Sequence, residues 1–164
     1  MLDRVDLKIL ALLQRDVSLS VSDIAEQVNL TTTPCWKRIK RLQDEGVIRH
    51  KVALLDPLQL NLDLTAMVQV KTQQHSVAWS EAFLLQIKDL NEVMECYRMA
   101  GEYDYMLKVV VKDMRSFDAF YKKLVNRVSG LTEVTSSFAM EQLKYTTELP
   151  LSSALIKEEQ PIQS

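Results

Sequence analysis

The sequence predicts an α+β protein in two parts, a helical N-terminal unit followed by a β-α-β-β-α-β unit. Three observations carry that prediction. Apolar residues recur at helical spacing up to about residue 45, they switch to alternation from Leu62 onward, and the dipeptide Asp56-Pro57 stands between the two patterns. A chain of 164 residues has room for two small domains. With 47% hydrophobic and 26% charged residues it can build cores, and it lacks the polar excess of a disordered chain.

The first helix starts at an Asp3 cap with Asp6 three residues on, and carries Leu7, Ile9, Leu10, Leu12 and Leu13 to about Arg15. After a break at Ser18 to Ser20, Ser20 and Asp23 form a capping-box pair that opens a short helix with Ile24, Ala25 and Val28 inward. Asn29 and Leu30 make the turn. In Thr31-Thr32-Thr33-Pro34 a threonine caps the next helix while proline takes its first position, where a missing N–H does no harm. Cys35, Ile39 and Leu42 form its buried stripe, Trp36, Lys37, Lys40 and Arg41 its outer face, and Gly46 its stop. Val47 to Leu55 alternates weakly and reads as a short strand or wing.

The second half has strand period from Leu62 to Val70, then a helix with Trp79, Phe83, Ile87 and Leu90 on its core face. Strands follow at Val93 to Ala100 and Tyr103 to Lys112, joined by a tight turn at Gly101-Glu102, where glycine supplies positive φ. Phe117, Phe120, Tyr121, Leu124, Val125 and Val128 mark a second helix, Gly130 ends it, and Leu131 to Met140 returns as strand. This order is the split βαβ arrangement of the ferredoxin-like fold. Both helices would cover one sheet face, and the uncovered face implies pairing with a second copy. The expected domains are 1–55, a linker at 56–61, 62–151, and a polar disordered tail at 152–164.

Charge divides unevenly. Residues 1–55 hold nine Lys/Arg against seven Asp/Glu, and 56–164 hold eleven against fifteen, so +2 and −4 give the net −2. Thr31 to Gln43 contains four basic residues and no acid, which is the local field that a phosphate backbone feels. Helices two and three, joined by a short turn, have the helix-turn-helix architecture that holds one helix in the major groove of double-stranded DNA. Thr32, Thr33, Trp36 and Lys37 would face the groove, with Lys40 and Arg41 further along on bases or phosphates. Lysine-rich helical surfaces are also simply solvated in many bundles. The cap, the proline, the acid-free face and the wing together favour DNA.

Cys35 and Cys96 form no CxxC or Cys/His cluster with His50 or His75, so neither a disulfide framework nor a metal site is expected. Acids at the N-terminus and the lack of any apolar run near the roughly 18 residues of a membrane span place the chain in the cytosol, on the nucleoid. There is no nucleophile–base–orienter set and no phosphate loop, so no enzyme and no cofactor are expected.

The stretch Leu30 to Leu42 resembles the DNA-reading helix of the Lrp/AsnC family of bacterial regulators. Ala53-Leu54-Leu55-Asp56-Pro57 is similar to the family's domain junction, and Ala100-Gly101-Glu102-Tyr103-Asp104-Tyr105-Met106-Leu107-Lys108 to its effector-domain hairpin. The resemblance spans roughly residues 2 to 150. It implies dimers that assemble further, and an amino-acid effector lying between dimers beside the hairpin loop, at Ala100, Gly101, Glu102, Tyr103 and Asp104. There Gly101 would admit a carboxylate to the backbone and Asp104 would accept from an ammonium group. Thr135 and Ser137 are further polar candidates. Trp36-Lys37-Arg38, where the family usually carries an aliphatic residue and an acid, together with Met99 to Tyr103, resembles the branch that answers cysteine. The competing expectation is a metabolite-binding module that regulates a protein partner, with the basic helix docked on protein or RNA.

Overall fold

The computed structural model describes residues 2–151; the expected tail at 152–164 lies outside the described residues. The described residues divide into two compact units, one of residues 55–143 and one that joins residues 2–54 to residues 144–151. The segment 144–151, expected in the second domain, therefore groups with the first. The side-chain amide of Gln14 explains this, donating to the Leu149 carbonyl at 3.1 Å and accepting from its N–H at 2.9 Å. Arg15 adds an ion pair to Glu148 at 3.1 Å.

The N-terminal unit comprises α1 (Arg4–Leu13), α2 (Val21–Gln27) and α3 (Thr32–Asp44). Both expected capping boxes form. Asp6 N donates to Asp3 Oδ1 at 2.8 Å and Asp3 N to Asp6 Oδ2 at 3.1 Å. Ser20 and Asp23 exchange the same pair of bonds at 3.1 Å each, so two amides of each helix start that lack helical partners are satisfied locally. Asn29 turns the chain between α2 and α3 at a φ of 57°, which asparagine tolerates. Thr31 is the cap of α3 by backbone only, and Pro34 is the third helical residue rather than the first. It remains harmless there, because no first-turn amide has an intrahelical partner. Ile9, Ile24, Ala25, Val28, Cys35, Ile39 and Leu42 close the core.

Residues 47–56 contain no strand. A ladder needs a second strand, and the helical unit offers none, so the wing is an irregular segment tied at its start by Ile48 N–H to the Leu42 carbonyl at 3.0 Å. The linker is ordered by its own hydrogen bonds. Asp56 Oδ1 accepts from Leu58 N–H at 3.0 Å, and Leu58–Leu60 form a 3₁₀ turn.

The second unit comprises β1 (Leu64–Thr72), α4 (Val77–Lys88), β2 (Val93–Arg98), β3 (Tyr105–Val111), α5 (Met114–Arg127) and β4 (Leu131–Phe138). The sheet runs β2-β3-β1-β4 with every neighbour antiparallel. β1 begins two residues late because Leu62 N–H is spent on the Pro57 carbonyl of the linker turn. Ala66, Val68 and Val70 of β1 and Tyr105, Leu107, Val109 and Val111 of β3 are buried under Phe83 and Ile87 of α4 and Phe117, Phe120 and Leu124 of α5. Phe83 stacks on Trp79 at 5.2 Å and tilts against Tyr105 at 4.6 Å. On the opposite face Met67, Gln69 and Lys71 of β1 lie beside Met106 and Lys108 of β3, and among the described residues no helix covers them.

Gly101-Glu102 is not a two-residue turn. The connection runs from Met99 to Asp104, closed by Met99 N–H to the Asp104 carbonyl at 2.8 Å, with Gly101 at a φ of 144°. The longer loop follows from the hold of β1 on Asp104: its N–H donates to the Val70 carbonyl at 2.9 Å, and its Oδ2 accepts from Thr72 N–H at 2.8 Å.

Candidate nucleic-acid interface and ligand pocket

On α3, Cys35, Ile39 and Leu42 face the core and leave Thr32, Thr33, Trp36, Lys37 and Lys40 exposed. Trp36 is 52% exposed, so its indole is a surface group and not part of the core. Burial pushes the Cys35 thiol pKa up and keeps it protonated. Lys40 pairs with Asp44 one turn on, at 2.6 Å, just past the acid-free stretch.

Arg41 is placed differently from its neighbours. Its guanidinium binds Asp6 Oδ2, while Arg38 binds Asp6 Oδ1 at 2.8 Å and Asp3 Oδ2 at 2.6 Å. The Asp6 side chain is fully buried. Burial alone would raise its pKa, but the Asp3 amide and the Arg41 and Arg38 guanidinium groups outweigh it and hold the carboxyl below its ordinary value. Sequence reading assigned Asp6 only to the cap. Its pairing with α3 spans 32 to 35 residues and leaves no periodic signal.

Beside the hairpin loop lies a cavity of about 270 Å³, lined by Gln69, Met99, Ala100, Gly101, Glu102, Tyr103 and Met106. This is below the roughly 300–1,000 Å³ of drug-sized sites and suits a small metabolite. Four of the seven expected effector residues line it. Asp104 does not: its Oδ2 is taken by Thr72 N–H, and its Oδ1 is 4.0 Å from His75 Nδ1. Thr135 and Ser137 stand on the same open sheet face, opposite Gln69 and Met67 in register, outside the lining.

Gln69, Met99 and Met106 were not anticipated as lining residues, because only the strand register brings Gln69 opposite Met106. At the edge, Lys71 reaches Glu102 at 3.1 Å and Glu133 at 3.3 Å and sits 4.7 Å over the Tyr103 ring. The Glu102 bond first, and then Glu133, raise the Lys71 pKa, so the cation persists at the pocket mouth. Among the described residues no group of three or more His, Cys, Asp or Glu converges to hold a metal, and no helix is long and apolar enough to cross a membrane.

An exposed helix-turn-helix in one unit and a metabolite-sized pocket on a βαββαβ unit are the architecture of a DNA-binding regulator with a ligand-binding domain. Residues 2–49 match the family model described as winged helix-turn-helix DNA-binding, and residues 65–149 that of the Lrp/AsnC ligand binding domain. The chain belongs to the Lrp/AsnC family and is a DNA-binding transcriptional regulator with a ligand-binding domain of that family. It is 59% identical to the DNA-binding transcriptional activator DecR of Escherichia coli K12, over 92% of this chain and 99% of that one. An AsnC family transcriptional regulator from Agrobacterium tumefaciens superposes with a TM-score of 0.88 at 49% identity, covering 93% and 99% of the two chains. A transcriptional regulator from Neisseria meningitidis, solved as a complex with L-Met, gives 0.86 at 34% identity, covering 94% and 99%.

Proposed function

We propose that α3 enters the DNA major groove with Thr32, Thr33 and Trp36 toward base edges and Lys37 and Lys40 toward phosphate, and that a small amino acid bound beside the 99–104 loop changes the assembly of the protein or its hold on DNA. The exposed outer face of α3 is the observation that carries this reading. Threonine hydroxyls and an indole offer hydrogen bonds and apolar contact to base edges, and lysine supplies point charge. Ala100, Gly101, Glu102 and Tyr103 form the effector wall, with Thr135 and Ser137 nearby on the open face. Asp104 holds the loop to β1, and this supports a role in shaping the pocket rather than in contacting an ammonium group.

Met99 and Met106 favour a sulfur-bearing effector, since thioethers pack well on soft, polarisable groups. The L-Met bound to the N. meningitidis relative is consistent with that class, and cysteine is the effector that the resemblance of Trp36-Lys37-Arg38 implies. The helix-free sheet face pairs with a second copy, and the assembly acts on the nucleoid in the cytosol without catalysing a reaction. Activation is the expected direction, as for DecR.

Two measurements on the full chain test this. In a mobility-shift titration, neutralising Lys37 and Lys40 together is expected to abolish sequence-selective, salt-sensitive binding; undiminished binding rejects the α3 interface. Calorimetry against the twenty amino acids is expected to give heat with cysteine or methionine that disappears on Gly101→Val, and heat that survives this substitution moves the effector elsewhere.

A further inference from the structure

The Asp6 carboxylate is wholly buried, yet it belongs to α1, away from the exposed face of α3. Its Oδ1 accepts from Arg38, and its Oδ2 from Arg41 and from the Asp3 backbone N–H. Asp3 takes a second bond from Arg38. Left alone, a carboxylate with no exposure would be driven to its neutral form; here three donors keep it charged. Arg38 and Arg41 are three residues apart, one turn of α3, so the two bonds hold the same edge of the helix at two heights. A single tether would let α3 swing about it, whereas two fix both its rotation and its tilt. Two carboxylates and two guanidinium groups also cancel, so this edge presents no net charge. The cations left on the outer face are Lys37 and, in a solvent-exposed pair with Asp44, Lys40.

We infer that Asp6 is a positioning residue for DNA binding: through Arg38 and Arg41 it sets the rotation of α3, and it withdraws both arginines from phosphate neutralisation. This rests on α3 being the helix that reads DNA. Arg41, expected from the sequence to touch bases or phosphates, is on this inference a tether.

The test uses the full-length protein and two labelled duplexes, one selected from a random-sequence pool by the wild-type chain and one with its sequence scrambled. Affinity for each is followed by fluorescence anisotropy across a salt series. Lys37→Met is expected to weaken both duplexes and to lower the salt slope by about one per subunit, as the loss of a phosphate contact does. Arg41→Met is expected to weaken the selected duplex about tenfold, leave the scrambled duplex within about twofold and keep the wild-type slope, because the reading surface is misplaced while Lys37 and Lys40 remain, whereas Asp6→Asn is expected to weaken the selected duplex about as much and to steepen the slope, because it frees both arginines.

Circular dichroism establishes that each variant is folded. If Asp6→Asn is not, Arg41→Met keeps the test open, since Asp6 then still holds Arg38. A slope that falls in Arg41→Met as it does in Lys37→Met makes Arg41 a phosphate contact and overturns the inference, as does unchanged selectivity in the folded variants. If Lys37→Met itself changes neither affinity nor slope, the fault lies with the assignment of α3 and not with Asp6.

Discussion

Among the described residues the helical unit closes around a cluster of seven buried apolar side chains, none larger than leucine or isoleucine, whereas the sheet unit closes around a cluster of fourteen that includes Phe83, Phe117 and Phe120. Apolar burial grows with the area removed from water, so the sheet unit is held mainly by its interior. The helical unit has less interior to draw on. It adds two reciprocal caps, the buried Asp6 cluster, and the Gln14 grip on Leu149. The lesson is one of sensitivity: the helical unit depends on the polar bonds at its helix starts, and the sheet unit on volume.

Three substitutions sharpen or break that contrast, read by hydrogen exchange resolved along the chain. Phe120→Ala removes a fully buried ring between α5 and the sheet and is expected to cost about 3–5 kcal/mol, with faster exchange in β1 and β3 and little change in α1 to α3. Asp6→Ala leaves two guanidinium groups facing an emptied polar site. Its expected cost is about 3 kcal/mol, at the low end for a broken buried pair because both arginine side chains are partly exposed, and it is confined to the helical unit. Equal loosening of both units by either change would remove the distinction.

Acid tests the polar bonds of the helical unit without mutation. The folded pKa values of Asp3 and Asp6 lie below the usual aspartate value of about 3.9, so the stability they contribute is complete above that pH and is lost as pH falls through their lower folded values. Exchange in α1 and α3 is therefore expected to rise in wild type below about pH 4, and to rise less in Asp6→Asn. Third and smallest is Gly130→Ala, at about 1–2 kcal/mol: φ is 81°, and a Cβ would stand 2.9 Å from Gln74 Cγ. Its effect belongs at the start of β4, where Thr72 and Trp79 bond the Gly130 and Ser129 carbonyls.

Sequence patterning showed most of the architecture because the relevant signals are local. Asp3/Asp6 and Ser20/Asp23 sit three residues apart, and alternation in β1 and β3 reports the buried face directly. What the sequence hid depends on distant partners. Asp6 with Arg41, Asp104 with Thr72, and Gln14 with Leu149 are separated by 35, 32 and 135 residues, and no spacing rule reaches them. The same cause explains the hairpin, where Gly101-Glu102 has the composition of a tight turn but β1 sets the loop's length through Asp104. It also explains Asp104 itself, a carboxylate free to take a ligand in a linear reading and engaged once the sheet assembles. Outward-facing Thr32, Thr33, Trp36, Lys37 and Lys40 were legible because helical period alone decides which way they point.

The Gln14 amide grips a backbone that is synthesised long after it. At about 5–20 residues per second, the 135 residues between Gln14 and Leu149 take a ribosome roughly 7 to 27 s, during which the first three helices have left the tunnel while their last partner does not yet exist. The nascent protein thus passes through a stage with its first helices complete in chain but not in contacts. Only translation of residues 144–151 supplies that grip.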